Sequence, residues 1–461
     1  MVSKIESVLL TIFIFFCIGF SVIQLEVSPH IPILFGIVIL LAFGFMKKIS
    51  WSTMEKGMIS SISAGIPSIF IFLLVGVLIS VWIAAGTIPT LMVYGFQLVS
   101  PKIFVPTVFV VCAIVGTSIG SAFTTAATVG LAFMGMGSAL GYDPALIAGA
   151  IISGAFFGDK MSPLSDTTNL APAVTGVDLF EHIRNMLWTT VPAFIIAFIA
   201  YFILGSGSGG NVDFTSFIST LEKNATISIV TLIPILLLFL FAFKKVPAVP
   251  TLLAGIVVGI IILFIFKPST SLTDLMKIMQ DGYVSKTGIK DIDSLLSRGG
   301  LQSMMMSVAL IFLALCMGGL LQGMGIIAQL MNIISSFVKN STRLIISTAS
   351  TAIGVNFLLG EQYLSIVLTG QAFANKYDEV GLERRNLSRV LEDAGTVINP
   401  LVPWGVSGVF LTNVLSVPTF DYLPYAIFCL ACPVVTIIVG FTGFGLSWKK
   451  RKSSTSFIIY K

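Results

Sequence analysis

The sequence predicts an all-α polytopic membrane protein made of two inverted repeats, each with about five transmembrane helices, one of them broken, plus a re-entrant hairpin. Three observations carry this reading. The 461 residues are 56% hydrophobic and only 10% charged, with a mean hydropathy of +1.01, whereas soluble domains carry about 25% charged residues. Apolar stretches long enough to cross about 30 Å of hydrocarbon recur along the chain. The two halves resemble each other weakly, with interrupted apolar segments at corresponding positions.

Taken in order, spans are expected at 7–25, 31–46 and 64–85. The first follows Lys4 but ends in VIQLEVSPH without a small-residue cleavage site, so it reads as a retained helix and not a signal peptide. Lys47, Lys48 and Lys56 mark a cytoplasmic loop containing a short amphipathic helix, WSTMEKGMISS. The apolar stretch 103–140 is interrupted by TSIGSAFTT (Thr117–Thr125), whose small hydroxyl residues suit a helix interface or the interior tip of a re-entrant hairpin. A broken helix follows at 144–174, then a helix at 187–204.

Gly205 to Gly210, GSGSGG, is a flexible linker, and the polar segment to Asn224 divides the protein. The plan then returns: helices at 225–243, 247–266 and 303–322, a hairpin at 342–375, a broken segment at 386–415 and a last helix at 422–446. The expected units are residues 1–205, a linker 206–224, residues 225–447, and a basic cytoplasmic tail 448–461. PHIPILFGIV from Pro29 answers PAVPTLLAGIV from Pro247, IFLLVG…GTIPTLM (71–92) answers IFLALC…GIIAQLM (311–331), and GSAF at Gly120 answers GVNF at Gly354. A weak internal repeat with interrupted segments points to a gradient-driven transporter and to its site.

Loop charge sets the orientation. With five crossings and one non-crossing hairpin per half, Lys47, Lys48, Lys56, Arg184, Lys244, Lys245, Lys339, Lys376, Arg384, Arg385 and the Lys449–Lys452 cluster all fall inside, so both termini are cytoplasmic. The loop 267–300 would be outside with Lys267, Lys277, Lys286, Lys290 and Arg298, but it is long and also carries Asp274, Asp281, Asp291 and Asp293. The net charge of +5 therefore reports membrane orientation and not nucleic-acid binding.

The polar stretch Gly154–Asn169, GAFFGDKMSPLSDTTN, lies between apolar segments. An ionised side chain at membrane depth costs about 2.5–3.5 kcal/mol on insertion scales, so such a cluster reads as a working site. Pro163 breaks the helical ladder and frees backbone carbonyls. Asp159, Ser162, Ser165, Asp166, Thr167, Thr168 and Asn169 then offer carboxylate, hydroxyl and amide oxygens suited to a monovalent cation, and a carboxylate can hold either the metal or a proton. Lys160 could be the counter-ion of the vacant site or one half of a structural pair. At the first hairpin tip Thr117, Ser118, Ser121, Thr124 and Thr125 either complete the site or bond the preceding turn.

The second half offers Asn356 and Glu361 around the GVNFLLG tip, then Arg389, Glu392, Asp393, Thr396 and Asn399. Arg389 stands three and four residues before Glu392 and Asp393, so an intrahelical ion pair competes with a site role there. Cys17, Cys112, Cys316, Cys429 and Cys432 all fall in apolar segments and read as small buried hydrophobes. Gly116–Gly120 matches GxSxG, but it follows no strand, and His30 and His182 are the only histidines, so hydrolase chemistry is not expected. No phosphate loop is present, which leaves gradients as the driving force, and the chain reads as a transporter without a cofactor and not as an enzyme.

GDKMSPLSDTTNLAPAVTGVDLFEHIRNM (Gly158–Met186), WIAAGTIPTLMVYG (Trp82–Gly95) and LSRVLEDAGTVINPLVPW (Leu387–Trp404) resemble the NhaC-type sodium/proton antiporter family, and the likeness covers nearly the whole chain. One departure is Gly405 after Trp404, where the family commonly carries asparagine. The resemblance implies exchange of Na+ or Li+ for protons across the cell membrane, with Asp159 and Asp166 alternately holding cation and proton. The wider ion-transporter superfamily implies a homodimer with scaffold and moving domains. The resemblance extends to exchangers of malate and lactate, which leaves a small organic acid or amino acid as an alternative cargo, its carboxylate bound by Lys160 or the hairpin hydroxyls.

Overall fold

The computed structural model describes residues 2–25, 27–206, 215–338 and 340–449. Glu26, Lys339, most of the expected linker (207–214) and the basic tail from Lys450 onward lie outside the described residues. The described chain is helical apart from its connections and one isolated bridge between Leu382 and Trp448. Eight of its helices are long and apolar enough to cross a membrane, and up to 12 spans result if each bent pair counts as one. The chain is therefore a multi-span helical membrane protein.

The first half runs α1 (Lys4–Ile23), α2 (His30–Met46), α3 (Trp51–Ala84), α4 (Thr87–Leu98) and α5 (Phe104–Ile119). It continues as α6 (Ala122–Thr125), a π turn (Ala126–Gly130), α7 (Leu131–Ala139), α8 (Pro144–Met161), α9 (Asp166–Thr175) and α10 (Leu179–Gly205). After α11 (Thr215–Asn224) come α12 (Ile233–Phe243), α13 (Ala248–Phe266), two short helices α14 (Leu272–Asp281) and α15 (Lys290–Leu296), α16 (Leu301–Gly323) and α17 (Ile326–Ser335). The chain closes with α18 (Ser341–Leu359), α19 (Gln362–Val380), α20 (Arg384–Leu391), α21 (Val406–Leu415), α22 (Thr419–Tyr422) and α23 (Ile427–Thr442).

Polar residues at the boundaries start the helices. Ser50 caps α3 through the Thr53 N–H at 3.3 Å, Asp143 caps α8 with Pro144 in first place, and Asp178 accepts from Phe180 and Glu181 at 2.9 and 3.1 Å. Several boundaries differ from expectation. WSTMEKGMISS is no separate helix in a loop: it is the start of the single 34-residue α3, because Ser50 starts the helix there and nothing before Pro67 stops it. Helix α10 begins at Leu179 and not near 187, and the loop 267–300 holds α14 and α15.

The element order of the first half recurs in the second: a pair, a long helix with a short one after a glycine elbow, a hairpin, a bent pair and a closing helix. Packing is exchanged between halves. Helix α13 lies on α3 while α2 lies on α16; α1 lies on α17 while the turn before α12 lies on α4; α9 packs on α19 while α21 packs on α6 and α7. Helices α3 and α16 meet at the centre. Large apolar side chains such as Phe16, Ile199 and Phe202 face outward, where lipid would cover them.

Within the first half α5 meets α8 almost backbone to backbone. A Cβ on Gly158 would stand 2.4 Å from the Thr117 nitrogen, and one on Gly154 2.4 Å from the Phe109 carbonyl. Small residues at such contacts let membrane helices approach closely. The contact brings Asp159, the next residue, against the first hairpin.

Candidate ion site

Both hairpin tips are a glycine followed by a capping residue. Gly120 (φ 73°) ends α5 and Ser121 caps α6; Gly360 (φ 68°) ends α18 and Glu361 caps α19. The positive φ is what makes glycine necessary at each. Gly354, paired with Gly120 on letter similarity, is instead inside α18, two turns before the tip.

Helix α8 ends where Pro163 removes an N–H, and α9 leaves at a 46° bend. Side chains take up the freed carbonyls: Thr168 donates to the Asp159 and Lys160 carbonyls at 3.1 and 3.0 Å, and Asn169 to those of Pro163 and Ser165 at 2.9 and 2.7 Å. Ser162 Oγ accepts from the Leu164 N–H at 3.2 Å. Thr168, Asn169 and Ser162 thus hold the break together.

Beside the break lies a cavity of about 590 Å³. Asp159 and Asp166 both line it, with Ser121, Thr124, Ser165 and Thr167. Asp159 faces the Ala122 backbone N–H and the Ser165 side chain, and Asp166 faces the Tyr363 hydroxyl from the opposite half. Ser165 and Thr167 share a hydroxyl contact of 3.2 Å, and Ser121 Oγ accepts from the Thr124 N–H at 3.3 Å. Thr117, Ser118 and Thr125 bond carbonyls one turn back, at 2.8, 2.8 and 2.9 Å, and none of them lines the cavity.

The second break is filled by its own amides. Asn399 Nδ2 donates to Asn356 Oδ1 at 2.8 Å and to the Gly360 carbonyl at 3.3 Å, its Oδ1 accepts from the Ser407 N–H at 2.8 Å, and Asn356 Nδ2 donates to the Gly395 carbonyl. The Val406 N–H donates to Gly360 at 2.7 Å. Gly158 to Leu164 and Gly395 to Leu401 share one pattern, glycine four residues before Ser-Pro-Leu or Asn-Pro-Leu, and each ends a helix at its break.

Lys160, fully buried, forms a salt bridge with Asp393, whose second oxygen accepts from Thr436 at 2.5 Å; Cys432 Sγ lies 3.7 Å from the ammonium. Arg389 does not pair with Glu392 or Asp393. Its guanidinium donates to the Gly445 carbonyl at 2.9 Å and reaches Asn185, because the π turn Glu392–Thr396 carries the two carboxylates off its face. Glu392 and Thr396 are buried and face each other, carboxyl to hydroxyl, and neither side chain meets a further hydrogen-bonding partner among the described residues. Glu361, fully buried, caps its own helix by accepting from the Leu364 N–H at 2.8 Å through Oε2, while its Oε1 has no partner among the described residues.

Gln362 and Tyr363 of the second tip line the cavity, and Thr436 and Cys432 surround the buried pair; none of these four was singled out from the sequence as a site residue. The available signal for the first two was their place directly after Gly360-Glu361. Among the described residues no three His, Cys, Asp or Glu side chains gather as a metal cluster; the cavity wall carries the Asp159 and Asp166 carboxylates, hydroxyl oxygens and Lys245.

The chain is 44% identical to the Na(+)/H(+) antiporter NhaC of Alkalihalophilus pseudofirmus, covering 92% of this chain and 93% of that one. It is 40% identical to the NhaC of Bacillus subtilis over 90% and 93%, and 32% identical to the malate-2H(+)/Na(+)-lactate antiporter of Bacillus subtilis over 95% and 94%. Residues 154–444, which contain both breaks, match the Na+/H+ antiporter family. The chain belongs to the Na+/H+ antiporter family.

Proposed function

We propose that this protein exchanges Na+, or Li+, for protons by alternating access in the cell membrane, as two inverted repeats (1–205 and 225–447) within a homodimer. Both termini are cytoplasmic in this reading. The observation that carries it is that Asp159 and Asp166, on opposite sides of one helix break, line a single cavity with hydroxyl oxygens between them. The cation is held by these two carboxylates with Ser165, Thr167 and Thr124. Lys245, from a connection that carries two lysines, also lines the cavity, so by the positive-inside pattern the cavity opens to the cytoplasm. The names of the two NhaC relatives support the same cargo.

The alternative cargo, an organic acid or amino acid, draws on the malate and lactate relative. Helix N-termini at hairpin tips would be the natural place for its carboxylate. Here the protein's own carboxylates stand there: Asp159 faces the Ala122 N–H, and Glu361 takes the Leu364 N–H. That favours the cation. The test is dye-reported pH change in everted vesicles on adding Na+, Li+, K+, malate or an amino acid. A response to Na+ or Li+ is expected; a response to malate or an amino acid with none to any alkali cation would overturn the proposal.

A further inference from the structure

We infer that Glu392 carries the proton, apart from the two carboxylates that hold the cation. This rests on the exchange reading above and names the carrier within it. Glu392 lies in the π turn that continues α20, fully buried; the neutral Thr396 hydroxyl faces its carboxyl, and no ion pair reaches it among the described residues. It does not line the cavity, whereas Asp159 and Asp166 do. A sodium ion needs a shell of several oxygens and room to enter. A proton needs one O–H bond, and it is the transported ion that an enclosed carboxyl can accept.

The surroundings agree. The charged groups within electrostatic reach of Glu392 are Asp159, Lys160 and Asp393, and Lys160 is already engaged by Asp393. Of the elements packed on this turn, α9 carries Asp166, α19 carries Tyr363 and Tyr377 after its cap Glu361 and, at its far end, Lys376, Asp378 and Glu379, which are engaged in ion pairs there; α20 carries Arg384, Arg385 and Arg389, α23 carries Cys429 and Cys432, and α18 carries Arg343 in its first turn. No cation forms an ion pair with Glu392 among the described residues, since Lys160 is held by Asp393 and the Arg389 guanidinium turns to the Gly445 carbonyl, and an unpaired buried carboxylate costs several kcal/mol. Taking up a proton on one oxygen removes that cost. Releasing it as H+ adds a negative charge within reach of Asp159 and strengthens cation binding there, so the two ions are coupled without sharing a ligand.

The test uses the full chain in proteoliposomes, with two readings, Na+/Na+ exchange of labelled sodium and Na+-driven pH change. Glu392→Gln should keep Na+/Na+ exchange within about twofold and lower Na+-driven proton movement about tenfold or more, and Glu392→Asp should restore part of it with a shifted pH profile. Na+-driven proton movement that survives in Glu392→Gln overturns the inference. Loss of both readings in Glu392→Gln, with no rescue by Glu392→Asp, overturns it as well. A wild-type chain that moves labelled sodium without any pH change overturns the exchange reading itself.

Discussion

Lys160 and Asp393, 233 residues apart in sequence, form the one ion pair among the described residues in which both side chains are fully buried. It ties the end of α8 in the first half to the π turn of the second. Removing one partner leaves an uncompensated buried charge, which costs about 3–5 kcal/mol. Lys160→Met and Asp393→Leu should each lower the melting temperature of the detergent-solubilised protein, and the double variant should recover much of the loss. Thermal unfolding of the three variants is the measurement, and equal losses in single and double variants would contradict the pairing.

Asp159→Asn and Asp166→Asn keep the shape of the cavity and remove its charge. Each should abolish Na+-driven exchange while leaving the protein inserted in the membrane at wild-type abundance. Vesicle assays beside quantitative blots check this, and wild-type exchange in both variants would remove the carboxylate pair from the mechanism.

The amide network of the second break is a prediction about stability. Asn399→Ala strips the Ser407 N–H of its acceptor and Asn356 Oδ1 of its donor. Each unsatisfied buried group costs about 1–3 kcal/mol, so the variant should be clearly destabilised. Thr117→Ala, which loses only a bond to its own helix, should change stability by about 0.5 kcal/mol or less. Thermal unfolding of the pair separates the two cases.

The connection between α14 and α16 is held by Asp293, which accepts from the Thr287 N–H at 2.7 Å, the Thr287 and Ser285 hydroxyls at 2.8 Å, and the Gly288 N–H at 3.0 Å. These donors, the Thr287 amide foremost, hold its carboxyl below the ordinary range. A depressed carboxyl stabilises the fold above its unfolded value of about 3.9 and loses that contribution as pH falls through the folded one. Protection of residues 283–298 from an acid-active protease should hold at neutral pH and fall away below about pH 4. Asp293→Asn should show the weaker protection at every pH.

The first break was legible because its signals are local: Pro163, the flanking apolar segments and the charges beside them. The second tip falls at the end of the expected GVNFLLG segment, but the pairing of Gly354 with Gly120 fails because GVNF and GSAF share only letters, while the conformation selects a glycine with positive φ followed by a cap, as in Gly120-Ser121 and Gly360-Glu361. The spacing of Arg389, Glu392 and Asp393 suggested an ion pair that a regular helix would make; the π turn and the Gly445 carbonyl take that option away. The partner of Lys160 could not be read locally at all, since the pair forms only when both halves are folded. Periodicity reports neighbours along a helix, and the interior of this site is built across halves.

Helix α3 is longer than a membrane is thick. Its 34 residues rise about 51 Å at 1.5 Å each, against about 30 Å of hydrocarbon. The last 20 residues, from Gly65, account for that thickness alone, so the segment from Trp51 continues as a stiff post into the headgroups or beyond. Gly57 on this post still meets α16, where an added Cβ would stand 2.4 Å from the Gly319 carbonyl. The central pair of helices therefore stays clamped outside the lipid tails, and a thinner or thicker bilayer must adjust to it by tilt, by bending at Pro67 or by local deformation.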